Sequence, residues 1–570
     1  MKNIYRIVSL ILIVVIMATV LVACTTPNTD DPLNEKIDTS RTQIYVYNFA
    51  GGYGTDWLVA LKKRYEELHK DDVYEEGKKG VQVYINAQKT SIESYMDSIL
   101  DNRDEVYFAE YVDYFTLISK GVVADITEAV TGDLGNYGDP AGTTIESKLS
   151  AQLQDYYGVS DGTSKKYYAL PHYSAYNGLA YNIDLFEERG YYFRDDTTDV
   201  EFLEDYFVLP NSDEKRSAGP DGKYGTSDDG LPATYEEFFL LCDYIAYDGN
   251  TPVVWNGVAY QDYLNYFLQA MIVDYEGLEN TTLNYTMEGT ATDLGKIVNG
   301  EFVFDTTPTT ITASNGYELK RQAGKYYALS FLERLVKTDK YHGDKVFNNA
   351  YWHTDAQDDF LYSGHDGVTK SIAMLCEGVW WQAESAQTFI DMANMKGDEF
   401  SMKNRNIGWL PLPKATSDKV GKSTLFDKNY ATCFVKKNVA DWKMPLINDF
   451  LKFIHTNQSL VEFTQITNTP KGFNYTLTDA EKEALTPFGR SLIELKENSD
   501  VAYPYASTSV YKNNQSQFKN KNQSWSLMSG LTEQQWAPIA MHDKAVTSID
   551  YFTGMYNYYQ SRWSILYSIK

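Results

Sequence analysis

The chain has 570 residues, with 51 Lys and Arg against 78 Asp and Glu and a formal net charge of −27. So acidic a surface lacks the basic footprint that nucleic-acid binding needs, and it argues against a polyanionic ligand held by a general field. The length allows two or three units at roughly 150 residues each, and an aromatic fraction of 15% suits both a large core and a site for amphipathic rings.

Lys2 and Arg6 form a short positive region ahead of the apolar run from Ile7 to Ala18, followed by Leu21-Val22-Ala23-Cys24 and a polar stretch. This is the layout of an export signal. The small residue before Cys24 resembles the bacterial lipobox, in which the cysteine becomes the lipidated first residue of the mature chain. Residues 1–23 are then a signal peptide, Cys24 the lipidation site and 24–41 a flexible polar tether. An uncleaved transmembrane anchor is the alternative. Either way the body is expected outside the cytoplasm, held by acyl chains in the first case. No later apolar stretch reaches the ~20 residues of a membrane span.

The body opens with a strand at 43–49, apolar on both faces as in a covered parallel sheet. A glycine turn follows (Gly51, Gly52, Gly54), then a helix on which Trp57, Leu58, Leu61, Tyr65 and Leu68 recur at helical spacing. A second strand at 81–85, a helix bearing Ile92, Met96 and Ile99, and a third strand at 106–108 continue the alternation. That order predicts an α/β protein with a parallel sheet under helices.

Further along, Asp221, Asp228 and Asp229 lie on a glycine-rich loop, with Glu237 in the helix beyond. Hard oxygen ligands on a tightly turning loop suit Ca²⁺, so a structural Ca²⁺ site is expected there, with an acidic surface turn as the alternative. Cys242, Cys376 and Cys433 lack metal spacing and are odd in number, which favours buried free thiols over one disulfide plus one thiol. No G-x-S-x-G, H-E-x-x-H or phosphate-cradling glycine loop occurs, so no enzyme activity is expected.

Several segments together carry a resemblance: Ile44–Trp57; Glu105–Thr127; Lys166–Phe186, with "KYYALPHYSAYNGLAYNIDLF"; "LPATYEEF" at 231–238; "SIAMLCEGVWW" at 371–381; "NIGWLPLP" at 406–413; and Asp449–Pro470. In this order they resemble the extracellular solute-binding proteins of ATP-driven carbohydrate importers. The resemblance implies a two-lobed, type II periplasmic-binding-protein-like fold with an interlobe cleft. Three crossings are expected near 167–171, 366–371 and 425–432. The first lobe would hold 42–168 plus 370–425, and the second 170–366 plus 430–570. The chain departs from the family in length, around 190–235, 275–320 and after about 485. The implied function is capture of a carbohydrate, expected to be an oligosaccharide, by lobe closure and its delivery to ABC permease subunits. The protein would be a lipid-anchored monomer on the outer face of a cell membrane of the Gram-positive kind. A ligand-sensing surface protein and a glycan-active surface enzyme are the alternatives.

Sugar rings have apolar faces and polar rims, so their sites combine aromatic platforms with directional polar groups in a concave space. In open α/β sheets such sites follow strand ends. The first-lobe candidates are Phe49, Gly52, Tyr53, Trp57, Glu110 and Tyr111. At the first crossing they are His172, Tyr173 and Tyr176. Trp255, Asn256, Glu377, Trp380, Trp381 and Tyr430 complete the set. Trp380 and Trp381 are adjacent and cannot share one face, so one of them is expected in the core.

Overall fold

The computed structural model describes residues 33, 36–89, 92–160, 162–257, 262–365, 370–428, 431–519, 537–543 and 546–569. Cys24, the leader and Tyr430 lie outside the described residues, as does most of the expected tether.

In chain order, the elements that position the site begin with β1 (Thr42–Phe49), α1 (Asp56–Leu68), β2 (Val81–Gln88), β3 (Val106–Glu110) and β4 (Ala169–Pro171). Then come β5 (Asn177–Asn182), β6 (Thr251–Val254), α2 (Asp262–Thr286), α3 (Ala323–Lys337) and α4 (His353–Tyr362). These are followed by β7 (Ile372–Gly378), β8 (Ile407–Leu410), β9 (Thr424–Phe426) and β10 (Ala431–Val435). The chain continues with α5 (Met444–Ile454), α6 (Asn457–Thr467), α7 (Pro487–Glu497), β11 (Asp500–Ala502) and α8 (Ser548–Leu566). The segment Ile92–Asp101, read from periodicity as an α-helix, is a 3₁₀ helix that still buries Ile92, Met96 and Ile99.

Two sheets organise the molecule. The first has the order β2-β1-β3-β10-β4, with β1, β2 and β3 parallel and β10 antiparallel to both its neighbours. The second has the order β8-β5-β7-β6. Here β5 runs antiparallel to β7 and β8, and β7 parallel to β6. Each sheet is covered by helices, as strands apolar on both faces require. In the first lobe, Tyr65 of α1 packs its ring 5.0 Å from both Phe450 and Phe453 of α5. In the second, Trp409 of β8 meets Phe488 of α7 at 5.7 Å, and α8 packs on α3, with Ser548 N donating to Glu333 Oε2 (2.7 Å).

This pairing corrects the expected lobe allocation in three places. Strands β7 and β8 belong to the second sheet, so 370–425 is not part of the first lobe. Conversely, β10, α5 and α6 belong to the first lobe and not the second, because β10 pairs with β3 and α6 packs on α1. No crossing occurs near 366–371, since α4 and β7 on either side pack together in the second lobe. Strands buried on both faces look alike in sequence whichever sheet they join.

The chain passes between the two sheets three times, at about 172–176, between β9 and β10, and at about 468–486. The first is bonded to both of the others. Ala175 N donates to Asp427 Oδ1 (2.9 Å) and Lys428 N to Ala175 O (3.1 Å). Ser174 N donates to Pro470 O (3.0 Å), and Tyr173 bridges Lys471. At the far end of the first sheet the incoming chain is pinned to β2. Asp38 N donates to Gln82 Oε1 (2.8 Å), and Gln82 Nε2 donates to Lys36 O (3.2 Å). Among the described residues no helix is long and apolar enough to cross a membrane. Cys242, Cys376 and Cys433 are free and buried.

Candidate functional site

The carboxy ends of β1 and β3 form the head of the first sheet. After β1 the chain turns through Gly51-Gly52-Tyr53-Gly54, with Gly52 and Gly54 at φ +54° and +65°. Glycine reaches this left-handed region without steric cost. Asn48 Nδ2 ties the turn by donating to Gly54 O (3.1 Å). Tyr53 then turns inward: its hydroxyl donates to Ser174 O (3.1 Å) and its ring meets Tyr173 edge-on at 4.5 Å. Tyr53 and Tyr173 are therefore both buried and brace the crossing. Gly52 is the point of contact with the other lobe, where a Cβ would lie 3.5 Å from Trp380 Cβ.

At the end of β3, Glu110 sits opposite Ala431 of β10. Burial, and then the charge of Glu384 from the second lobe, push its carboxyl up to about 8. The next residue, Tyr111, holds φ +55° and is 50% exposed. A left-handed tyrosine is unfavourable by about 1 kcal/mol, and such strain gathers where structure around it over-determines the backbone.

The second lobe presents the head of the four-stranded sheet. Gly378 ends β7, and the Trp380 indole folds back over it; a Cβ there would enter the ring. Trp380 Nε1 donates to Tyr263 Oη of α2 (3.1 Å), with ring centroids 5.9 Å apart. Behind it runs a chain of polar groups. Gln357 Nε2 of α4 donates to Glu377 Oε1 (3.2 Å) and to Glu384 Oε2 (3.0 Å). Glu377 Oε2 also accepts from Gly378 N (2.9 Å). His353 Nε2 lies 3.9 Å from Glu384 Oε2, and its ring is 5.9 Å from that of Tyr263. Burial pushes Glu384 up to about 7, moderated by Gln357 and Lys89. Glu377 is pushed up by burial and then by Glu384. Burial and then the nearby Lys89 charge lower His353, against the pull of Asp355.

Two amides stand out. Asn177, at the start of β5, and Asn256, just past β6, are 5% and 1% exposed. Neither side chain has a hydrogen-bond partner on either its oxygen or its nitrogen. An unsatisfied buried amide costs roughly 1–3 kcal/mol. Asn177 is paired with Gly378 across the ladder, which puts it on the sheet face that the Trp380 indole covers.

Other expected site residues lie elsewhere. Trp57 is core, with Phe108 edge-on at 5.0 Å and Phe463 at 5.4 Å. Trp381 is core among Phe360, Phe389 and Phe488. Trp255 is buried against His342 and Phe347. In each case helical or strand periodicity turns the large ring inward. His172 is also buried: its Nδ1 is 3.1 Å from Lys471 Nζ, and burial holds its imidazole well below the usual range. Tyr176 is buried within the crossing, and Phe49 folds over Gly51. The residues that sequence reading missed are Tyr263, His353, Gln357 and Glu384. The i, i+4 pair His353 and Gln357, on the helix preceding β7, was the available signal for two of them.

The carboxylates of the acidic loop are engaged within the loop, and Asp228 and Asp229 share Thr226, whose hydroxyl reaches both at 2.6 and 3.3 Å. Asp228 Oδ2 accepts from Asp221 N (3.0 Å) and Asp229 Oδ2 from Gly225 N (2.8 Å). Asp221 Oδ1 accepts from Lys223 N (2.7 Å) and Glu237 Oε2 from Ala233 N (2.6 Å). Each acid closes its own turn or helix start. Among the described residues no three His, Cys, Asp or Glu side chains converge as a metal needs.

No family model matches the chain, and no curated protein does. Solved structures do match in fold. A chain described as a "probable secreted solute-binding lipoprotein" from Streptomyces coelicolor overlays with a TM-score of 0.51 at 12% identity, covering 92% of this chain and 100% of that one. The apo form of RafE from Streptococcus pneumoniae overlays at 0.49 and 13% identity, covering 91% and 100%. A chitin oligosaccharide binding protein overlays at 0.49 and 13% identity, covering 90% and 100%. The fold is the two-lobed α/β architecture of type II solute-binding proteins.

Proposed function

We propose that this protein captures a carbohydrate between its two lobes and delivers it to a membrane importer. One juxtaposition carries the reading. Trp380 offers a flat apolar face between a glycine turn of the other lobe and the buried amide of Asn177, which has no hydrogen-bond partner among the described residues. A pyranose ring matches that pattern, with C–H groups for the indole and hydroxyls for the amide and for Glu110 and Glu384. Three bonded crossings allow hinge closure, so contacts made to both lobes at once would favour the closed state. The polar groups would bind and orient the sugar without covalent chemistry. The export signal and Cys24 support lipid anchoring outside the cytoplasm, where permease subunits of an ABC importer would receive the closed form.

A thermal-shift screen against oligosaccharides tests this reading. A ligand at a hundredfold excess over Kd adds about 2.7 kcal/mol of stability. The expected result is stabilisation by at least one oligosaccharide, lost in Trp380→Ala, with the sugar recovered intact. Absence of any shift across the panel, or release of hydrolysis products, overturns the reading.

A further inference from the structure

Trp352 and Trp442 are almost equally exposed, at 50% and 51%, and a single surface tryptophan by itself marks nothing. Their placement differs. Trp442 lies between β10 and α5, beside Lys443, whose Nζ donates to Glu105 Oε1 (2.6 Å) just ahead of β3. It therefore sits at the foot of the first sheet, away from the strand ends that face the cleft. Trp352 sits at a sheet head. Helix α4 runs back along β7. Ile372 N, at the start of β7, donates to Ser363 Oγ just past α4 (2.9 Å), while Gln357, near the amino end of α4, reaches Glu377 near the end of β7. Trp352, immediately ahead of α4, thus stands at the carboxy end of β7. From the other side, Gly257 N, past the end of β6, donates to Tyr351 O (2.7 Å). Two strand ends of the second sheet therefore meet the Tyr351–Trp352 segment where Trp380 also lies. Ring contacts of 5.9 Å from Trp380 to Tyr263 and 5.9 Å from Tyr263 to His353 make a continuous row from the first indole to the sequence neighbour of the second.

The backbone at Trp352 is fixed. Trp352 N donates to Asp355 Oδ2 (2.8 Å) in the first turn of α4, and the buried Tyr351 donates its hydroxyl to Asp359 Oδ2 (2.9 Å). An aromatic ring presented from a fixed backbone loses little conformational freedom when a ligand covers it. Beside the row, His353 Nε2 and Glu384 Oε2 lie 3.9 Å apart on side chains that are each partly exposed, and they offer polar groups to sugar rims.

We propose that Trp352 is a second stacking platform and that the ligand is an oligosaccharide of at least two units, one on Trp380 and the next carried outward to Trp352. The inference rests on the carbohydrate reading above and deepens it by assigning the ligand a minimum length and a direction along the amino end of α4. Trp380, packed into the sheet head, would hold the inner unit, and Trp352 would make affinity depend on the units that follow it.

Isothermal titration of the purified protein tests this. The probes are glucose with its α-1,4 and β-1,4 oligomers, and N-acetylglucosamine with its β-1,4 oligomers, each from one to four units. In at least one series the parent should gain at least ~10-fold in affinity between one unit and three. Trp352→Ala should cut that gain to below ~3-fold, whereas Trp380→Ala should weaken binding at every length. Trp352→Phe, which keeps a flat ring, should recover much of the gain, and that recovery separates loss of a stacking face from a fault in folding. An unchanged gain with length in Trp352→Ala, or a single unit bound as tightly as its oligomers, overturns the inference but leaves carbohydrate capture standing. Loss of the gain in both Trp352 variants together with a lower melting temperature also overturns it. Failure of every series to bind overturns the inference, and the thermal-shift screen, wider in sugars and linkages, then decides the broader reading independently.

Discussion

At the head of the five-stranded sheet the first lobe brings mostly main chain to the cleft: a glycine turn, with one carboxyl and one strained tyrosine beside it. Its large aromatic residues, Trp57 and Tyr53, are spent on the core and the crossing. At the head of the four-stranded sheet the second lobe brings side chains: Trp380 held by Tyr263, two unsatisfied amides and the Glu377–Gln357–Glu384 chain. The difference assigns roles. Under the proposed function the first lobe would supply a close-fitting platform, and the second most of the chemistry that distinguishes one ligand from another.

The sharpest way to break that division is to truncate one tryptophan on each side. Trp57→Ala should cost about 3–5 kcal/mol of stability, seen as a fall in denaturation midpoint. Trp380→Ala should cost less than about 2 kcal/mol of stability and at least ~10-fold in ligand affinity. If Trp57→Ala weakened binding while leaving stability intact, the assignment of roles would be wrong.

Much of the fold was legible in the chain. The alternation from residue 43 to 110 is visible because strand and helix periods differ, and the first crossing falls close to its expected place. Sheet membership was not legible, because Ile372–Gly378 and Ile407–Leu410 are buried on both faces and would read the same in either lobe. Nor did the sequence separate the tryptophan at the sheet head from the core one beside it. Trp380 and Trp381 are adjacent, and only Gly378 beneath the first and the phenylalanines around the second distinguish them. The acid-rich loop shows a third limit: its carboxylates suit both Ca²⁺ and the turn-closing backbone bonds they make here, so their spacing alone does not choose between the two.

A smaller effect tests the charge on the first-lobe side. The folded protein holds the Glu110 carboxyl up near about 8, above its unfolded value. The folded state therefore keeps a proton that the unfolded chain loses. The stability this contributes is full below the unfolded pKa and is lost as pH rises through about 8. Buried His172, His455 and Lys471 act in the opposite direction. The informative quantity is thus the difference between parent and Glu110→Gln. The advantage of the Gln variant in melting temperature, without ligand, should widen as pH rises from about 5 to about 8. A constant difference would mean that the fold does not hold the Glu110 carboxyl in its protonated form.

The smallest expected effect is at the lip. Tyr111→Gly relieves the left-handed backbone and should stabilise the free protein by up to ~1 kcal/mol. A loss of stability would mean that the contacts of the Tyr111 side chain outweigh the strain of its backbone.

The attachment of Lys36 and Asp38 to Gln82 has a mechanical consequence. It moors the upstream chain to the first lobe at the strand ends opposite the mouth. Tension on a leash joined there would be borne by the first lobe alone, and the mouth would face away from the mooring point. The second lobe, bearing the last helix, would carry none of that load and be left free to swing.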